Sequence, residues 1–220
     1  DSSILQLYKD GRMDYVGPFT FTASRSLIGA VVLLPVIWFQ SKKEDGAKTE
    51  QKKGPVVDKQ EKKTLLLGGI VCGIFLCIAT NLQQIGLQYS TVGKSGFVTA
   101  MYIVLVPILG IFIHKGIDMR KVISVILAVC GLYLLCMTDG NFSIGKGDIF
   151  TILCALAFSL QILSVDHFAP KVDCVKLASL QFLICGICSC VPMLLVEHPQ
   201  FSQLVAAWMP ILYAGILSNG

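Results

Sequence analysis

Apolar residues along this chain fall into long blocks separated by short polar stretches. A bilayer core of about 30 Å is crossed by roughly 20 helical residues, so each long block predicts a membrane-spanning helix. Such blocks lie at 18–39, 65–87, 94–113, 122–138, 148–168 and 177–196. Residues 2–8 read as the tail of a further helix, and another begins near Val205. About seven spans are therefore expected, in an all-α, polytopic transmembrane helix bundle. Pro18 opens its block at the helix position where a missing N–H costs nothing. Pro35, Pro107 and Pro192 fall inside spans, where neighbouring helices can resatisfy the freed carbonyls. The segment 41–64 is the one long polar linker, expected to be disordered or a loose helix on the membrane surface.

Polar residues inside the blocks are not scattered. Asn81, Gln84 and Gln88 fall at i, i+3 and i+7, one face of a helix. After a turn at 89–93, Ser95, Thr99 and Tyr102 repeat that spacing, with Lys94 at the head. Two antiparallel helices with facing polar stripes predict the wall of a water-accessible path. Gly69 and Gly73 stand in the spacing that lets another helix approach closely.

Composition removes the soluble alternatives. Mean hydropathy is +0.71, with 54% of residues hydrophobic and 15% charged. If 41–64 is cytoplasmic, thirteen Lys and Arg lie on that side of the membrane and four on the other. This asymmetry sets the expected orientation, although eight of the thirteen belong to one loop. Of the nine cysteines all but Cys174 lie within apolar blocks, which points to packing rather than to disulfides or metal. The chain starts without Met and stops inside an apolar block, so it is read as part of a longer protein, truncated at both ends.

The chain also repeats itself. A shift of 157 places Gly29 on Gly186 and Pro35 on Pro192. A shift of 146 places Leu67-Gly-Gly-Ile-Val71 on Tyr213-Ala-Gly-Ile-Leu217. The repeat unit is then five helices, and an odd number turns the second copy upside down in the bilayer. The expected organisation is two inverted five-helix repeats, residues 1–138 and 139–220. Such repeats are a recurrent design of secondary transporters, with the site near mid-membrane between them.

The stretch GLQYSTVGKSGFVTAMYIVLVPILGIF resembles the fourth-helix signature of the EamA family in the drug/metabolite transporter superfamily. So do Pro18-Phe-Thr-Phe-Thr-Ala-Ser-Arg25 and the Gly147-Asp148 pair. The resemblance implies ten helices in two inverted repeats, a multi-pass protein of the cell (plasma) membrane, and export of amino acids or other metabolites. It also implies that most of the first helix, half of the eighth, and the ninth and tenth lie outside this chain.

Candidate substrate-binding residues are Arg25, Asn81, Gln84, Gln88, Lys94, Ser95, Thr99, Tyr102, Gln161 and Gln181. Arg25 lies about 10 Å inside its span at 1.5 Å per residue, where a lipid-facing cation costs at least ~2.5–3.5 kcal/mol. It is expected to face a cavity, or to pair with Asp148. Lys94 is either an interface lysine or an anion-attracting group at the mouth of the path. The amides either line that path or hydrogen-bond between helices. Asp166-His167 has the makings of a proton relay at a span end. No HExxH, P-loop, GxSxG or paired intramembrane carboxylate is present, so neither an enzyme nor an ATP-driven pump is expected. The expected activity is secondary transport of a small polar metabolite such as an amino acid, by alternating access, without a cofactor. The alternatives are a non-transporting scaffold or sensor and, last, a membrane-embedded enzyme. The expected partners are a small-molecule metabolite, the lipid bilayer and, as an open option, further copies in a homo-oligomer. The Lys-rich linker carries five acidic residues and no aromatics, so no nucleic acid is expected.

Overall fold

The computed structural model describes residues 17–47, 55–90, 92–112, 145–197 and 208–215, with isolated positions between 119 and 131. The described elements are helices: α1 Pro18–Ala47, α2 Pro55–Tyr89, α3 Val92–Ala100, α4 Tyr102–Phe112, α5 Lys146–Phe168, α6 Cys174–Pro192 and α7 Trp208–Tyr213. Five stretches are long and apolar enough to cross a membrane: Pro18–Phe39, Gln60–Tyr89, Gly93–Gly110, Gly147–Lys171 and Cys174–Glu197. The block at 122–138 and the tail at 2–8 lie outside the described residues, apart from the isolated positions.

One element takes the helical one of its two expected states, and another departs from expectation. The linker 41–64 is helical on both flanks, because α1 continues to Ala47 and α2 begins at Pro55. Lys, Glu and Gln are good helix formers, and Pro55 takes the first helical position, where its lost donor is harmless. At 35 residues α2 is about 50 Å long, well beyond an apolar slab. The block at 94–113 is divided into α3 and α4 at Met101. There the Met101 N–H donates to the Val98 carbonyl at 3.2 Å, and the Val104 N–H to Met101 at 3.0 Å. These three-residue bonds tighten the turn. They lie N-terminal to Pro107, the side against which a proline ring pushes its own helix.

The helices gather into two compact units. One holds residues 78–163, thus the end of α2, α3, α4 and most of α5. The other holds 14–77 and 164–220, thus α1, most of α2, α6 and α7.

In the second unit α1 and α6 run antiparallel. Thr20 meets Glu197, Ser26 lies 3.6 Å from Cys185, and the Ser179 hydroxyl donates to the Ala30 carbonyl at 3.4 Å. Glycines carry the close approaches. A Cβ on Gly73 would stand 2.8 Å from Cβ of Ile184 and 3.0 Å from the Gln181 carbonyl. A Cβ on Gly215 would stand 2.9 Å from Cβ of Ile28 and 3.3 Å from the Arg25 carbonyl. These are the same contact made twice: a glycine, an isoleucine, and the carbonyl three residues before it. The offset from Arg25 and Ile28 to Gln181 and Ile184 is 156, and from Gly73 to Gly215 it is 142.

In the first unit Gly86 of α2 packs on α5, where a Cβ would meet Thr151 Oγ1 at 2.7 Å and the Gly147 carbonyl at 3.2 Å. Tyr89 and Phe150 stack beside this contact, with centroids 6.4 Å apart.

Candidate functional site

Asp148 organises the head of the first unit. It occupies the first turn of α5, where a carboxylate is favoured by the unpaired N–H groups and the helix dipole. Its Oδ2 accepts the Gly145 N–H at 2.7 Å, the carboxylate half of a capping box, while its own N–H donates to the Gly145 backbone carbonyl at 3.1 Å. The same Oδ2 takes an ammonium proton from Lys94 at 2.6 Å, and Oδ1 accepts the Ser90 hydroxyl at 3.1 Å. The pair is sheltered, with side-chain exposures of 20% for Lys94 and 5% for Asp148. Sequence reasoning offered Asp148 as one of several possible partners for Arg25. The structure gives it to Lys94, so the lysine is neither a simple interface residue nor an uncompensated cation.

One turn inward, α3 buries Ser95 and Thr99 on the same face. Buried hydroxyls on α5 are quenched by their own helix. Thr151 donates to the Gly147 carbonyl and Ser159 to the Ala155 carbonyl, each at 2.7 Å. The α3 hydroxyls are not. Neither Ser95 Oγ nor Thr99 Oγ1 has a partner in hydrogen-bond geometry among the described residues, although the Cys154 thiol lies near Thr99. Buried polar atoms are paired in the great majority of cases, and two that are not lie a turn apart on α3.

The other expected residues divide between the units. In the first, Asn81 and Gln161 are buried and Gln84 is half-buried, whereas Gln88 is exposed. The amide stripe of α2 thus grades from inside to outside along its length. Tyr102 is half-buried with its ring 6.0 Å from that of Phe158. In the second, Arg25 and Gln181 are half-buried, and the Arg25 guanidinium lies 5.9 Å from the centre of the Phe21 ring. Thr22, one turn before Arg25, is fully buried, and its hydroxyl has no hydrogen-bond partner among the described residues. Its burial could not be read from a residue so ordinary in membrane helices. His167 meets Lys171 at 2.8 Å on the exposed end of α5. Cys185 packs against Ser26, and Cys77 lies 3.4 Å from the Ser189 hydroxyl.

Apolar helices long enough to cross a bilayer, with charged and hydroxyl-bearing side chains buried among them, define a multi-pass integral membrane protein. The EamA-like transporter family model matches residues 6–137, more than half of the chain, and the chain belongs to that family. An uncharacterized transporter of Archaeoglobus fulgidus is 30% identical over 158 residues, covering 71% of this chain and 42% of the relative. The uncharacterized transporter YetK of Bacillus subtilis is 26% identical over 204 residues, covering 89% of this chain and 58% of the relative. The chain therefore spans about half the length of these curated relatives. A protein of known crystal structure superimposes with a TM-score of 0.64 at 18% identity, over 91% of this chain and 66% of the other, and shares the fold.

Proposed function

We propose that the protein is a secondary transporter that exports a small polar metabolite, such as an amino acid, by alternating access. The observation that carries this reading is the contrast between the quenched hydroxyls of α5 and the open ones, Ser95 and Thr99, of α3. A scaffold whose polar residues only join helices has no use for buried hydroxyls left open. Asn81, Gln84, Lys94, Tyr102 and Gln161 would contribute further polar contacts from that unit, with Gln88 at its exposed end. A zwitterion suits a site where the sheltered Lys94 ammonium stands beside the Asp148 carboxylate.

The alternating mechanism rests on two inverted five-helix halves. Its support is the doubled contact of Gly73 with Ile184 and Gly215 with Ile28. That contact pairs α1 with α6 one residue away from the sequence shift of 157, and pairs Arg25 with Gln181 rather than with Phe182. The test is counterflow in liposomes holding the full-length protein, with a panel of labelled neutral, acidic and basic amino acids. Saturable uptake of one class, lost in a Ser95→Val/Thr99→Val variant that folds normally, is expected. Uptake equal to that of empty liposomes across the panel and across other small polar metabolites would leave the scaffold reading in place.

A further inference from the structure

The two antiparallel helices of the second unit begin in the same way but are capped differently. At the head of α6, Asp173 stands in the capping position, and its Oδ1 accepts the N–H groups of Val175 at 2.9 Å and Lys176 at 3.4 Å. Displaced by 156 residues, the offset of the doubled glycine contact, these three positions are Gly17, Phe19 and Thr20 at the head of α1. The backbone bond that opens each helix is matched as well: Phe21 N–H to Gly17 carbonyl at 3.0 Å, and Leu177 N–H to Asp173 carbonyl at 2.9 Å. Gly17 has no side chain with which to cap. The acceptor comes instead from Glu197, beyond the far end of α6. Its Oε1 accepts the Phe19 N–H at 2.9 Å, and its Oε2 accepts the Thr20 N–H at 2.7 Å and the Thr20 hydroxyl at 2.6 Å. A Cβ at position 17 would collide with this carboxyl, so the glycine is what admits it.

A cap carried by its own helix holds whatever the neighbouring helix does. One lent by another helix exists only while the two ends are together. Glu197 is delivered by Met193–Glu197, a wide π turn that begins straight after Pro192. Prolines and π turns are where helices bend with little loss of bonding. We propose that Glu197 is a releasable latch, closing the α1–α6 pair at the Pro18 end and opening that end when the π turn swings away. The latch rests on the transporter reading, where one end of the molecule must open while the other is shut.

The test separates a latch from a plain helix cap. In the full-length protein in membranes, Ala23→Cys places a thiol at a buried position one turn inside Glu197. Its modification by a membrane-impermeant methanethiosulfonate reagent is followed on the peptide by mass spectrometry. Glu197→Ala should raise the rate by about tenfold or more, as expected for an opening that has become easier. Gly17→Asp/Glu197→Ala restores an acceptor in the manner of Asp173 but cannot tie the two ends. It should react as fast as Glu197→Ala. A double variant that returns to the original slow rate would reduce Glu197 to a cap, and an unchanged rate in Glu197→Ala would remove the latch altogether. Should Glu197→Ala fail to fold, the double variant compared with the parent decides the same question. The labelling needs no transported substrate, so a failed counterflow experiment leaves it intact and the two results can be told apart.

Discussion

Lys94 and Asp148 meet at 2.6 Å at the head of the first unit, joining the start of α3 to the start of α5. Neither was assigned to the other by sequence, because 54 positions separate them. Their meeting decides how each will respond to substitution.

Removing one member of a sheltered ion pair strands the other, whereas replacing both by apolar residues of similar size is far milder. Lys94→Met and Asp148→Leu are each expected to destabilise the folded protein by about 3 kcal/mol. The double variant should lose much less than the two losses combined. Thermal unfolding in detergent, arranged as a double-mutant cycle, measures this. Simple additivity would mean that the pair is not coupled.

Gly73 and Gly215 offer a test of the repeated architecture through packing alone. Alanine at either position crowds an isoleucine and a backbone carbonyl, and overpacking of this kind costs roughly 1–3 kcal/mol. Ile184→Ala should restore part of the loss in Gly73→Ala, and Ile28→Ala part of that in Gly215→Ala. Unfolding midpoints of the four variants provide the measurement. Rescue in one pair without the other would break the equivalence of the two contacts.

Arg25 and Gln181 hold matching positions in the two glycine contacts, one charged and one neutral. If Arg25 engages a carboxylate of the substrate, Arg25→Gln should raise the apparent KM for acidic and zwitterionic solutes by tenfold or more, about 1.4 kcal/mol, while Gln181→Leu has a smaller effect. Initial rates of counterflow check this. A fall in maximal rate with unchanged KM would mark Arg25 as a structural residue instead.

Orientation has its own check. The Lys-rich flanks of α1 and α2 face the cytoplasm under the charge rule, so a cysteine at Gly46 should be modified from that side only. Modification from outside would reverse the topology.

The helical class, the described spans and the family were legible because a bilayer imposes its thickness on every crossing, and that constraint is written locally in runs of apolar residues. Lys94, Ser95 and Thr99 were legible as a polar stripe for the same local reason. What pairs with what was not. The attachment of Asp148 to Lys94 rather than Arg25, and the reach of Glu197 to Thr20 across 177 positions, are products of tertiary packing that no periodicity records. The division of the block at 94–113 at Met101 was missed because its cause is a tightened turn several residues ahead of Pro107. The doubled glycine contact lies one residue from the sequence shift on α1 and one helical turn from it on α2, since glycines at 69 and 73 compete for the match and only the contacts choose between them.

That buried hydroxyls of α3 line a path reached by water is tested most directly by thiol modification of Ser95→Cys and Thr99→Cys in the full-length protein. The control is Ile108→Cys on α4, a 46% exposed residue within the apolar spanning stretch Gly93–Gly110, expected to face lipid. A charged, water-soluble reagent should modify the cysteines at 95 and 99 and leave the one at 108 intact. Protection at 95 and 99 equal to that at 108 would contradict a water-lined path.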